Sequence, residues 1–153
     1  MKEMLGNQYF MARNYPAAQG EFEECLVKNP KNKSVRKKLI VCYTQTGRIK
    51  EAIKFFNELI AEDIQFIINT NPVTDDCPCP ELVAKIEGQG IFNEESLDYC
   101  IVLGIIWLYC DISKSLEYFI KANEKAPDDE TLAFTLNTLE RYIDSHPINK
   151  HIV

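Results

Sequence analysis

Residues 5–30 read LGNQYFMARNYPAAQGEFEECLVKNP, and the spacing inside that stretch decides the fold: Leu5-Gly6, Tyr9, Ala18, Phe22, Cys25 and Pro30. The spacing returns 34 residues later, where Leu39, Tyr43, Ala52 and Phe56 stand in register with Leu5, Tyr9, Ala18 and Phe22. Four identities at one offset mark a repeated unit. Within each unit apolar residues recur every three or four positions, as in Ala18-Phe22-Cys25 and Ala52-Phe56-Leu59, which is the period of an amphipathic helix.

Punctuation sets the helix ends. Pro16 suits the first turn of a helix running to about Lys28, stopped before Asn29-Pro30. Ser34 is the expected N-cap of the next helix, which runs to about Thr46 with Gly47 as its stop. A further helix is predicted from Ile49 to at least Ala61, or as far as Ile68, then a loop after Asn71-Pro72 and a short helix between Pro80 and Gly88. Helices over 94–109, 112–125 and 129–144 complete the set.

A third unit follows at Leu103-Gly104, Trp107, Ser115, Phe119, Ala122 and Pro127, with an inter-helix turn one residue shorter. Together the three units resemble the tetratricopeptide repeat, whose pattern is Trp-x2-Leu-Gly-x2-Tyr, then Ala-x3-Phe, then Pro. Unit one lacks only the Trp, where Lys2 stands; unit two has Ile40 at the Gly position and Ile64 at the Pro position. The resemblance implies an all-α, right-handed superhelical stack of antiparallel helix pairs, with repeats at about 1–32, 33–66 and 97–128 in one domain, 1–145. Residues 67–96 fit no repeat and read as a degenerate repeat, slightly favoured, or an insertion. The helix 129–144 carries Leu132, Leu136, Leu139 and Ile143 on one face and is expected to cap the stack. Residues 146–153 form a C-terminal tail.

Composition narrows the role. The 153 residues carry a net charge of −6, which argues against a general nucleic-acid or anionic-membrane binder. That charge is segregated: residues 1–60 sum to +5 and residues 61–153 to −11. Such segregation marks a binding face, pairing between the two halves, or ordinary drift of a solvated surface. The longest apolar stretch, Cys100 to Cys110, is far short of the roughly 20 residues a membrane span needs. The N-terminal residues lack a signal-peptide pattern, so a cytoplasmic protein with its six cysteines as reduced thiols is expected.

Chemistry is sparse. The two histidines, His146 and His151, both lie near the C-terminus, and no nucleophile triad, phosphate loop or His-based metal motif assembles. Neither an enzyme nor a cofactor is expected. Cys77-Pro78-Cys79-Pro80 could hold a soft metal or form a redox pair, but further ligands at usable spacing are missing. A stiff loop with Cys79 as a weak N-cap is the plainer reading of that stretch.

What remains is binding. The resemblance implies a concave groove lined by the first helix of each repeat, and on it Asn7, Phe10, Met11, Lys37, Val41, Thr44 and Gln45 would face a peptide or helix of a protein partner. Six basic residues from Lys28 to Lys38 suggest an acidic partner with apolar anchors, or else a solvated helix start. The family's two-carboxylate clamp for chaperone C-termini is not matched. Asn7 fits one of its positions, but Glu3 and Lys38 stand where Lys and Asn are required, and Asp98 and Val102 supply no positive charge. A homodimer through Ile101, Ile105 and Leu108 is the alternative, should residues 67–96 leave them uncovered.

Overall fold

The computed structural model describes residues 2–71, 75, 77–89 and 96–146. The expected tail beyond His146 and parts of the 67–96 segment lie outside these. Eight helices are found among the described residues, and no strand: α1 Lys2–Met11, α2 Tyr15–Lys28, α3 Lys33–Gln45, α4 Ile49–Ile68, α5 Cys79–Gln89, α6 Leu97–Leu108, α7 Ile112–Lys125 and α8 Glu130–Ser145. None is long and apolar enough to cross a membrane. The all-helical, repeat-like architecture expected from the spacing is therefore present.

Side-chain oxygens start most of these helices. Asn14 accepts from the Ala17 amide, Ser96 from Tyr99, Asp111 from Ser113 and Lys114, and Asp129 from Thr131 and Leu132. Each satisfies amides that have no partner within the helix. The expected Ser34 cap is corrected: Asn32 accepts from the Val35 amide, so α3 begins one residue before Ser34.

Close approach within the first and third pairs rests on glycine. A Cβ on Gly6 would lie 2.6 Å from the Phe22 ring, and one on Gly104 would lie 2.7 Å from the Phe119 ring. The Leu-Gly and Ala-x3-Phe elements of the repeat are thus two sides of one contact. At the third unit's Ala position, Ser115 is buried and its hydroxyl donates to the Gly104 carbonyl at 2.6 Å, which satisfies it inside the helix pair. Turns repeat as well. Arg13 (φ 62°) and Gly47 (φ 79°), 34 residues apart, both take the left-handed conformation between the helices of their pair. Gly47 adopts it without strain, whereas Arg13 is held by its guanidinium bonds to the Phe10 carbonyl (3.2 Å) and to Glu81 (3.1 Å).

Unit two departs where its sequence does. Pro30 helps stop α2, but Ile64 stands at that position in α4, and the helix continues to Ile68 past a bend at Asp63 (φ −163°, ψ 78°). In space α6 packs on α4, and the Phe56 and Phe119 rings stack with centroids 5.7 Å apart. Units two and three are therefore in direct contact, and α5 lies against α6 with Leu82, Val83 and Ile86 buried. Helix α8 closes on α7 and α4, burying Leu132 and Leu139. Its Thr135 hydroxyl donates to Asn57 Oδ1 at 2.6 Å.

Glycine at the crossing predicts a size-dependent penalty. Gly6→Val and Gly104→Val are each expected to lower unfolding free energy in urea by about 1–3 kcal/mol through overpacking. Gly20→Ala, with nothing within 4 Å of its Cβ position, is expected to be neutral or to stabilise by up to about 1 kcal/mol.

Candidate functional site

Helices α1 and α3 both pack against α2, and residues one turn apart on each helix line a common trough. A cavity of about 280 Å³ opens there, lined by Asn7, Phe10 and Met11 from α1 and by Ser34, Lys37, Lys38 and Val41 from α3. Five of the seven groove residues expected from the repeat pattern are brought together in this way. Thr44 and Gln45 are not among them; they line a separate cleft with Gly47, Ile49, Lys85, Ile86 and Asp98. Lys85 and Ile86 of α5 stand beside them in that cleft.

The remaining walls come from the end of the second unit, from the segment that fits no repeat and from the third unit. Phe66, Thr70, Asp75, Cys77 and Tyr109 complete the lining. The placement of Phe66 and Thr70 follows from the α4 overrun, because the turn beyond the Asp63 bend carries them to the cavity. Ile64 in place of Pro was the one sequence signal of this, since it removes the helix stop. Tyr109 ties the floor: its hydroxyl donates to the Lys37 carbonyl at 2.6 Å, and burial pushes its pKa up.

Electrostatically the cavity differs from the expectation. Lys37 Nζ donates to the Phe66 carbonyl at 3.1 Å, lies 4.8 Å from the centre of the Phe66 ring and sits 3.7 Å from Asp75 Oδ2. Burial lowers its pKa, and Asp75 offsets part of that fall. Lys38 Nζ donates to Asn7 Oδ1 at 2.8 Å. Outside the cavity, Lys33 pairs with Asp63 at 3.1 Å, and buried Arg36 forks onto both oxygens of Glu62 at 3.2 and 2.6 Å. Three of the six basic residues in the run, Lys33, Arg36 and Lys37, are thus engaged by the acidic half of their own chain. What the cavity offers a ligand is mainly apolar surface with amide and hydroxyl groups.

Other candidate residues fall as follows. Glu3, at a clamp position of the family, accepts from Asn32 Nδ2 at 3.2 Å. Ile101, Ile105 and Leu108 are 7%, 0% and 1% exposed, so the apolar patch on which a homodimer was argued is buried within the chain. His146 stacks on Tyr142 with centroids 4.0 Å apart, while His151 is outside the described residues. The expectation of six reduced thiols is corrected at one pair: Cys77 and Cys79 form a disulfide, and four cysteines are free. A disulfide sulfur is no thiolate ligand, and no metal-holding group of three or more His, Cys, Asp or Glu occurs among the described residues. Cys79 opens α5 as its first residue, with no side-chain cap bond recorded for that helix.

Residues 9–65 match the tetratricopeptide-repeat family model, a stretch that runs from Tyr9 through α2 and α3 to Gln65 in α4. No curated protein and no solved structure matches the chain.

The Arg36–Glu62 pair has a pH signature. The Arg36 hydrogen bond holds the Glu62 carboxyl below its ordinary value of 4.5. A depressed folded-state pKa stabilises above the unfolded value, and that contribution is lost as pH falls through the folded one. Glu62→Gln is therefore expected to lose less stability than the wild type between pH 6 and pH 3, measured by urea denaturation at each pH.

Proposed function

We propose that this chain, whose residues 9–65 are tetratricopeptide repeat, is a non-catalytic protein-interaction module that grips a partner segment in the cavity between α1 and α3. The observation that carries the reading is the convergence of Asn7, Phe10, Met11, Lys37 and Val41 on one opening. Those five residues come from two different repeats, and only the stacking of those repeats places them together.

Size and chemistry narrow the occupant. At about 280 Å³ the cavity is near the lower limit of small-molecule sites, and it suits one or two apolar side chains of a peptide. Phe10, Met11, Val41 and Phe66 supply the apolar contacts. Lys38, Asn7, Ser34 and Thr70 are placed to hold the backbone of such a segment by hydrogen bonds. An acidic partner remains part of the proposal only through Lys38, since Lys37 already faces Asp75. Helix α5 confines the segment to the α1 side, because Thr44 and Gln45 stand beside Lys85 and Ile86 in the separate cleft.

Met11 gives the cleanest handle, since it is 62% exposed and lines the opening without supporting the core. A photo-crosslinking amino acid at Met11 is expected to capture the partner, and one at Val27, 82% exposed and outside the cavity, is not. Met11→Glu should weaken the captured partner's binding by on the order of tenfold while leaving the melting temperature unchanged. Equal crosslinking from both positions would count against the cavity. Lys37→Glu is a poor test by comparison, because it sets a carboxylate beside Asp75 and the Phe66 carbonyl and disturbs the fold itself.

A further inference from the structure

The disulfide joining Cys77 to Cys79 plays no part in gripping a peptide, and its two sulfurs stand in unlike surroundings. Their Cα atoms are 5.5 Å apart across Pro78, with Pro80 following. Cys77 is half-buried and lines the cavity; Cys79 is fully buried and is the first residue of α5. The Cys79 amide donates to Cys77 Sγ at 3.4 Å, so a backbone N–H from the start of a helix already points at the accessible sulfur. Lys37 and Lys38 line the same cavity, as does Asp75.

We propose that Cys77–Cys79 is a thiol–disulfide exchange site that opens into the cavity and takes a thiol-bearing ligand, with Cys77 as the sulfur that bonds it. Access decides which sulfur is attacked, and only Cys77 is open to the cavity. The ligand's thiolate attacks Cys77 Sγ, forming a mixed disulfide. Cys79 Sγ leaves with the electron pair of the broken S–S bond and takes a proton from water. A second thiolate then attacks the ligand's sulfur and releases Cys77 as a thiolate, which the Cys79 amide stabilises. Two ligand thiols are oxidised to a disulfide, and the chain's disulfide is reduced to a dithiol. A low-molecular-weight disulfide runs the same steps backwards.

The single intervening residue keeps the two sulfurs neighbours after reduction, and the prolines on either side of Cys79 limit how far the backbone can swing them apart. The free cysteines are built differently. Burial pushes the Cys42 thiol up to about 12, and it raises those of Cys25, Cys100 and Cys110 as well. These four are therefore poor thiolates near neutral pH, which makes exchange selective for one pair.

The test uses the full chain and glutathione. After equilibration in buffers of stated reduced-to-oxidised glutathione ratio, acid quench and alkylation, mass spectrometry reads each cysteine. The wild type is expected to pass between the Cys77–Cys79 disulfide and the dithiol as the ratio changes. With oxidised glutathione, Cys79→Ser should accumulate a glutathione adduct at Cys77 on the order of tenfold faster than at Cys110. Should that variant fail to fold, the reduced wild type provides the same answer, since iodoacetamide is expected to label Cys77 well before Cys79. An adduct forming as fast on Cys110, labelling of Cys79 first, or a pair that stays reduced at every ratio would overturn the proposal. No partner protein enters the measurement, so its failure is distinct from failure of the groove assignment.

Discussion

Everything in this stack depends on a ring lying where a side chain is missing. Phe22 packs against Gly6 and Phe119 against Gly104, each at a distance that any Cβ would violate. This contact sets the separation of the two helices in a pair, and the pair then presents a surface that only a neighbouring pair can cover. Unit two makes the constraint visible by breaking it. Ile40 occupies the glycine position and is fully buried, while Phe56 stacks on Phe119 of the following unit. One substitution at the crossing thus accompanies a contact that joins units two and three, although about thirty residues of sequence intervene.

That junction leaves the intervening segment outside the line of stacked pairs and free to build walls. It supplies the overrun of α4, the cavity side at Asp75 and Cys77, and the cover that α5 lays on α6. Glu87 fastens the far end of α5, accepting from Trp107 Nε1 at 3.1 Å and from the Tyr118 hydroxyl at 2.7 Å. Arg13, from the turn after α1, bridges to Glu81 near the other end. Polar ties at both ends and apolar burial at Leu82, Val83 and Ile86 place α5 firmly, and that placement limits the trough to the α1 side.

Charge segregation along the chain is absorbed by the same geometry. The basic start of α3 meets Glu62, Asp63 and Asp75, which all belong to the acidic half. A guanidinium as buried as that of Arg36 requires its carboxylate, because an unpaired buried charge costs far more than the pair gains. Arg13, Lys33, Arg36 and Lys37 of the positive half are thus complemented by acids of the chain's own negative half.

The repeated spacing by itself determined the helices and their pairing, because those follow from a 3.6-residue period and, in the first and third units, from a glycine–aromatic contact between residues sixteen or fifteen apart. The face shared by Asn7, Phe10, Met11, Lys37 and Val41 was an expectation from the resemblance to the tetratricopeptide repeat. The sequence also contained, at Ile64, the missing stop that lengthens α4. Tertiary structure alone decided the rest. Phe66, Tyr109 and Cys77 reach the cavity through contacts between segments up to seventy-two residues apart, as in the Tyr109–Lys37 hydrogen bond. No local period encodes such contacts. They exist only once the whole stack has closed and the segment between its units has found a surface to lie on.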